Sequence, residues 1–247
     1  MQFGAIIIGD EIMSGKRQDK HMAKVISTLA ECGLDLGWCQ YLLDDPALVT
    51  ATLRRTLATE VVVFSFGGIG ATPDDHTRQC AADAAGVSLV LHPDAEVEIR
   101  GRFGADITPQ RLKMGEFPLG SRIIPNPHNR IPGFNLRSHH FLPGFPQMAW
   151  PMMAWVLDNW YLEQHAVGRT AEASIIVRGA GESQLIGLMN TSLERYPGLK
   201  VFSLPHMGET DRYVELGVRG DARYIEAAIE ELESGVTALG FQWAKPH

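Results

Sequence analysis

The sequence predicts an α/β fold built on a mostly parallel sheet, followed by a small α+β domain. Three observations predict it. Short apolar runs alternate with helix-period stretches between Gln2 and Gln164, the pattern of βαβ units joined by right-handed crossovers. The run Val61-Val62-Val63-Phe64-Ser65-Phe66 passes directly into Gly67-Gly68-Ile69-Gly70 and then into a helix-opening pattern. From Gly168 onward the order changes to strands and helices that no longer alternate one for one.

Gln2 to Ile8 reads as the first strand, apolar on both faces as a helix-covered sheet requires. Gly9-Asp10-Glu11-Ile12-Met13-Ser14-Gly15 follows as a loop. Asp19 to Glu31 carries Met22, Ala23, Val25, Ile26, Leu29 and Ala30 on a helical stripe closed by Gly33. Leu36 to Leu43 is the second strand. It ends in Asp44-Asp45-Pro46, where Asp45 suits a helix N-cap and Pro46 the first helical position. That helix runs to about Thr59.

The glycine stretch supplies the third strand and helix. Thr72 reads as its N-cap, Pro73 as its first residue and Asp75 as its third, close to a capping box. Val87 to Leu91 is a further short strand, and Asp94 to Phe103 an amphipathic helix. Thr108 to Gly115 is a shorter helical piece. Gly115 to Pro132, rich in Gly, Pro and Asn, is a functional type of loop crossed by a short strand at Arg122 to Ile124. Gly133 to Leu136 and Ser138 to Leu142 form a hairpin. Adjacent His139 and His140 face opposite ways on it, which excludes a two-histidine metal site there. Leu142-Pro143-Gly144-Phe145-Pro146 is again a strand, a turn and a proline-opened helix, continuing to about Gln164. In the tail, strands at Ala171 to Val177, Lys200 to Ser203 and Tyr213 to Arg219 accompany helices at Gly181 to Ser192 and Arg223 to Leu239. The expected domains are therefore 1–167 and 168–247.

Composition bounds the function. The chain has 247 residues, of which 45% are hydrophobic and 21% charged, enough to bury a core. A formal charge of −7 argues against nucleic acid as a partner. Cys32, Cys39 and Cys80 are odd in number and widely spaced, which excludes a disulfide framework and a structural zinc site and fits a reducing cytoplasm. No apolar run approaches the ~20 residues of a membrane span.

In a parallel sheet, ligands bind beyond the carboxyl ends of the strands. Gly9-Asp10-Glu11, Asp44-Asp45 and Gly67 to Asp75 each follow a strand, so all three loops are expected along one edge. Glycines there let backbone N–H groups approach an anion. Asp74 and Asp75 would repel a phosphate unless a divalent metal or a protonated acid lay between. The other reading makes Asp75 a helix cap and Asp74 a solvated carboxylate.

Taken in order, Gly9-Asp10-Glu11…Ser14-Gly15, Asp44-Asp45, Gly67-Gly68-Ile69-Gly70…Thr72-Pro73-Asp74-Asp75…Thr77 and Leu142-Pro143-Gly144-Phe145-Pro146 resemble the molybdopterin-binding-domain superfamily of MoaB and Mog proteins. Nearest in pattern is the N-terminal part of competence/damage-inducible CinA proteins. The resemblance covers about residues 3 to 165. The tail, through Gly181-Glu182-Ser183 and Phe202-Ser203-Leu204-Pro205, is similar to the KH-like domain that follows in that branch. Three departures stand out: Asp19-Lys20-His21 replaces the usual Asn-Thr-Asn, Gln79 an acidic residue, and Ala71 a proline. The chain ends at His247, without room for the deamidase domain that CinA proteins usually add.

The resemblance implies a three-layer fold, assembly into dimers or trimers, and a small phosphorylated, nucleotide- or pterin-like ligand. In MoaB and Mog relatives that ligand is molybdopterin, on which an adenylate is formed. In the CinA branch the implied reaction is metal-dependent cleavage of ADP-ribose to AMP and ribose 5-phosphate. A divalent metal (Mg²⁺, Mn²⁺ or Co²⁺) held by aspartates would neutralise pyrophosphate oxygens and activate water. On this basis Asp75 and Asp45 are the catalytic candidates, and Asp44 and Asp75 the metal ligands. Gly9, Asp10, Glu11, Ser14, Gly15, Gly67, Gly68, Gly70, Thr72, Thr77, Pro143 and Gly144 are expected to bind the ligand. The alternative is a molybdopterin-binding protein of cofactor biosynthesis, with or without catalysis.

Overall fold

The computed structural model describes residues 1–166, 168–208 and 212–246. The chain divides into two compact units, Met1–His165 and Ala166–His247. Val167, the last residue of the expected first domain, and His247 lie outside the described residues.

In the first unit the order is β1 (Phe3–Ile8), α1 (Asp10–Met13), α2 (His21–Glu31), β2 (Leu36–Leu42), α3 (Pro46–Leu57), β3 (Val62–Phe66), α4 (Thr77–Ala85), β4 (Leu89–Leu91), α5 (Pro93–Phe103), α6 (Pro109–Leu112), β5 (Glu116–Pro118), β6 (Arg122–Ile124), β7 (Gly133–Leu136), β8 (His139–Leu142) and α7 (Pro146–Trp160). The main sheet has the order β2-β1-β3-β8-β7-β6. β1 pairs in parallel with β2 and β3, and β3 with β8, while β7 and β6 add an antiparallel edge. The mixed, mostly parallel sheet agrees with the expectation. Its register aligns Ile8 with Leu42, Ile7 with Phe66, and Phe66 with Leu142, so four strands end along one edge.

Alternation along the strands makes two cores. Phe3, Ala5, Ile7, Val62, Phe64 and Phe66 pack with Val25 and Leu29 of α2 and with Met152, Met153 and Val156 of α7. Ile6, Ile8 and Val63 pack on the other face with Val49 and Leu53 of α3, Cys80 and Ala81 of α4, and Ala95 of α5. Helices therefore cover both faces, which explains why the parallel strands read as continuous apolar runs.

The stretch expected as a loop after Gly9 holds one helical turn instead, because Gly9 O accepts from Ile12 N and Met13 N, each at 3.2 Å. Leu89–Leu91 pairs outside the main sheet, antiparallel to β5. β5 lies where the composition suggested loop. Its Phe117 is fully buried and stacks on Phe134 at 4.8 Å between centroids, so tertiary packing overrides the local signal. The largest difference is at α4, which begins at Thr77 and not at Pro73. Thr72 to Asp75 forms a separate turn, closed by Asp75 N to Thr72 O at 3.0 Å, and the chain is then drawn back when Thr77 N donates to Gly68 O at 3.0 Å.

In the second unit, β9 (Thr170–Arg178), α8 (Glu182–Arg195), β10 (Lys200–Met207), β11 (Arg212–Asp221), α9 (Ala222–Ala238) and β12 (Gln242–Ala244) form an antiparallel sheet of order β10-β11-β9-β12. One sheet face buries Ile175, Val177, Leu216 and Val218 against Leu185, Ala228 and Leu232 of the helices. The α+β class is as expected. The β-α-β-β-α-β order is a ferredoxin-like split βαβ arrangement, not the expected KH-like one, because three-residue β12, too short to show a period in sequence, closes the sheet beside β9. Among the described residues, no helix is long and apolar enough to cross a membrane.

His139 and His140 do face opposite ways. His139 Nε2 meets Thr56 Oγ1 at 2.8 Å and His140 Nε2 meets Tyr161 OH at 2.8 Å. Burial, aided by Arg137, lowers the His139 pKa from 6.5 to about 4. Burial, aided by His139 and Arg122, lowers that of His140 to about 3. Unfolding frees both to take up protons. Their contribution to stability is thus complete above about pH 6.5 and is lost as the pH falls through the folded values, at about 1.4 kcal/mol per pH unit for each. Urea unfolding of the first unit, followed by its tryptophans, should weaken steadily from pH 6.5 to pH 4.5. His139→Gln, which keeps a partner for Thr56, should show a shallower decline; a pH-independent midpoint would contradict the buried neutral histidines.

Candidate functional site

The site sits on the strand-end edge. Gly67 N donates to Leu142 O at 3.0 Å and Gly9 N to Leu42 O at 3.1 Å, so neighbouring strands end in register. Beyond them lies a cavity of about 390 Å³. Gly67 and Gly68 have φ of 104° and 68°, a backbone that non-glycine residues rarely adopt. A Cβ on Gly67 would overlap Ile8 O, and one on Gly68 would overlap Thr77 Oγ1. Thr77 is buried and holds this bend from behind: its Oγ1 donates to Gly67 O at 3.1 Å and its N to Gly68 O at 3.0 Å.

The result is an unusual stretch of backbone. The N–H groups of Gly68, Ile69, Gly70 and Ala71 have no protein partner among the described residues, and all four residues line the cavity. Backbone donors in such settings are nearly always paired with protein, water or ligand, and successive free N–H groups at a bend form an anion-binding nest.

Four carboxylates share the cavity wall: Glu11, Asp44, Asp74 and Asp75. Asp75 Oδ2 accepts from Thr72 N at 2.8 Å and Thr72 Oγ1 at 2.5 Å, leaving Oδ1 uncommitted. The carboxylate lies against Gly70, where a Cβ would stand 2.5 Å from Asp75 Oδ2. Asp44 and Asp10 clasp each other's backbone: Asp10 N donates to Asp44 Oδ2 at 2.9 Å, and Asp44 N to Asp10 Oδ1 at 3.0 Å. Burial pushes the Asp44 pKa up, the Asp10 amide pulls it back, and the charges of Asp10, Glu11 and Asp74 raise it again.

Of the other expected residues, Gly9, Thr72, Pro143 and Gly144 line the cavity, while Asp10, Ser14, Gly15, Asp45 and Thr77 do not. Asp45 caps α3 through Leu48 N at 2.8 Å. Ser14 and Gly15 close the α1 turn, with Ser14 N bonded to Asp10 O at 2.8 Å. The residues at the departures have local work. Asp19 accepts from His21 N, Met22 N and Tyr41 OH at the start of α2. His21 Nε2 donates to Gly144 O at 3.0 Å and its ring stacks on Phe66. Burial lowers the His21 pKa, so the ring stays neutral with its proton on Nε2. This hold sets Gly144 beside Gly67, with a Cβ on Gly144 only 3.5 Å from Gly67 Cα. Gln79 bonds Asp83 along α4, outside the cavity lining.

The cavity also recruits residues that sequence reasoning missed. Arg17 is the cation among the lining residues, and Met114, Ile131, Pro132, Phe145 and Met148 form an apolar wall. Asn126 and Asn129 brace that wall from within, through Asn126 Nδ2 to Ile131 O and Ile131 N to Asn129 Oδ1, both at 2.9 Å. The Gly115–Pro132 loop signal pointed to this region without naming its residues. The lining thus combines backbone donors, carboxylates and apolar side chains, the mix that small-ligand pockets commonly present.

Comparison with known proteins gives the same class. Residues 4–162 match the family described as "Probable molybdopterin binding domain". The chain belongs to this molybdopterin-binding-domain family, and CinA-like proteins are among its relatives. A CinA-like protein of Geobacter metallireducens is 30% identical over 210 residues, 81% of this chain and 51% of its own length. A protein of Caldivirga maquilingensis is 28% identical over 260 residues, covering 98% of this chain and 99% of its own. The crystal structure of the CinA protein of Thermoplasma acidophilum has a TM-score of 0.59 at 29% identity, covering 64% of this chain and 96% of that one. The chain spans a third to a half of the length of the CinA-like relatives it matches.

The bend makes a testable demand. Gly68→Ala should destabilise the first unit by about 1–3 kcal/mol, because alanine must adopt a strained φ and displace Thr77. Urea unfolding measures it, and a loss under about 0.5 kcal/mol would contradict the described bend.

Proposed function

We propose that the cleft binds a nucleotide-sugar pyrophosphate of the ADP-ribose type and hydrolyses its phosphoanhydride to AMP and ribose 5-phosphate. The observation that carries the reading is the row of unpartnered N–H groups from Gly68 to Ala71 beside uncommitted oxygens of Asp44 and Asp75. The N–H groups would hold phosphoryl oxygens, with Arg17 of the lining as a side-chain counter-charge. The apolar wall of Met114, Ile131, Pro132, Phe145 and Met148 would take the base. Asp75, fixed by Thr72, presents Oδ1 to accept the proton of the attacking water.

A divalent metal fits the donor set but not as a pre-built cage. Among the described residues no three His, Cys, Asp or Glu side chains gather into a metal cluster. One or two carboxylates completed by substrate phosphate and water is the coordination Mg²⁺ commonly takes. Asp44 and Asp75 are the residues that would hold it, and it would supply neutralisation of pyrophosphate oxygens and an acidified water. The family match favours a second reading, molybdopterin handling without hydrolysis, because the same apolar wall accepts a pterin as readily as an adenine.

Purified protein with Mg²⁺, Mn²⁺ or Co²⁺ should release AMP from ADP-ribose. Asp75→Asn, which still accepts from Thr72, should lower kcat by about 100-fold or more while leaving the unfolding midpoint near wild type. No turnover across a panel of dinucleotides and metals, with a fluorescent pterin co-purifying, would replace this reading with the second.

A further inference from the structure

A guanidinium lies buried behind the glycine loop. Arg78, in the first turn of α4, is 7% exposed. It donates to Gly70 O at 2.7 Å, to Glu116 O at 3.3 Å and to Lys113 O. Its Nε is buried without a partner among the described residues. Among the described residues no carboxylate forms an ion pair with it, though Glu116 and Asp75 act on it from further away. Carbonyl oxygens satisfy N–H donors but do not cancel a net charge. The first turn of a helix is also the wrong end for a cation, because the backbone dipole is positive there. A buried charge so placed is expensive. One of its holding carbonyls belongs to Gly70, in the same loop whose N–H groups are free.

We propose that Arg78 sets the charge selectivity of the cleft, its guanidinium favouring a multiply charged phosphoryl group on the free N–H groups of Gly68 to Ala71. This rests on the reading of the cleft as a phosphoryl site. Arg78 does not line the cavity, so it acts through the loop and through its field. Buried charges are little screened, and their effect reaches across a turn of backbone. The same guanidinium ties the Gly70 loop to Lys113 and Glu116, either side of Met114 on the apolar wall. A purely structural staple and a charge-setting residue therefore have to be separated by experiment.

Two variants separate them. R78Q keeps a donor for the Gly70 carbonyl without the charge, and R78K keeps the charge without the planar fork. Inorganic pyrophosphate with Mg²⁺ is the probe, its Kd measured by calorimetry on the full chain, with thermal unfolding as the control for folding. R78Q should bind pyrophosphate about tenfold more weakly and R78K should stay within about threefold of wild type. Equal losses in both variants, or an unchanged R78Q, would overturn the role of charge. If R78Q does not fold, R78K decides: affinity within about threefold supports the proposal and a loss of about tenfold overturns it. A wild-type protein that binds neither pyrophosphate nor ADP-ribose would instead overturn the reading of the cleft itself.

Discussion

Thr77 closes the glycine loop, and the site follows from that closure. Its hydroxyl and its amide take the carbonyls of Gly67 and Gly68, so the chain bends back at once after β3. The bend turns those carbonyls toward α4 and leaves the next four amides without partners among the described residues. A side chain other than glycine at either position would collide with Thr77 or with the end of β1. The bend is therefore bound into the sheet, and the parallel register of β1, β3 and β8 brings Gly9 and Gly144 to the same edge. His21 completes the assembly by holding Gly144 against Gly67.

The electrostatics of this edge are divided. Backbone donors and a buried guanidinium favour an anion, while four carboxylates on the wall oppose one. The carboxylates are not idle charges. Of the four, Asp44 exchanges amide bonds with Asp10 behind the wall, and Asp75 fixes the turn that follows the loop. Asp44 and Asp75 each still leave one oxygen without a partner among the described residues. A ligand carrying both phosphate and a hard cation would meet both halves of the cleft, whereas a bare anion would meet only one.

Much of this was legible in the sequence, for local reasons. Alternating apolar runs set the sheet, and strand-end logic places Gly9, Asp44 and Gly67 on one edge. Asp45 as a cap was readable because its partner, Leu48, lies three residues away. The start of α4 was not readable. Thr72 N does donate to Asp75 Oδ2, one arm of a capping box, but Asp75 N goes to the Thr72 carbonyl and the long-range hold on Thr77 moves the helix onward. Arg78 was invisible for a similar reason: its partners Lys113 and Glu116 lie 35 and 38 residues away, with no pattern in the sequence linking them. Arg17 stands between motifs and carries no periodic signal. β5 and β12, three residues each, are too short for any period to show, and β12 is what turns the second unit into a split βαβ sheet.

On the proposed reading, the loop amides from Gly68 to Ala71 receive a phosphoryl group. Backbone amide chemical shifts report this directly when isotope-labelled protein is titrated with inorganic pyrophosphate in the presence of Mg²⁺. Saturable shifts are expected at Gly68, Ile69, Gly70 and Ala71, larger than those elsewhere in the first unit. Saturable binding that leaves those four amides unmoved, or no binding at all, would contradict it.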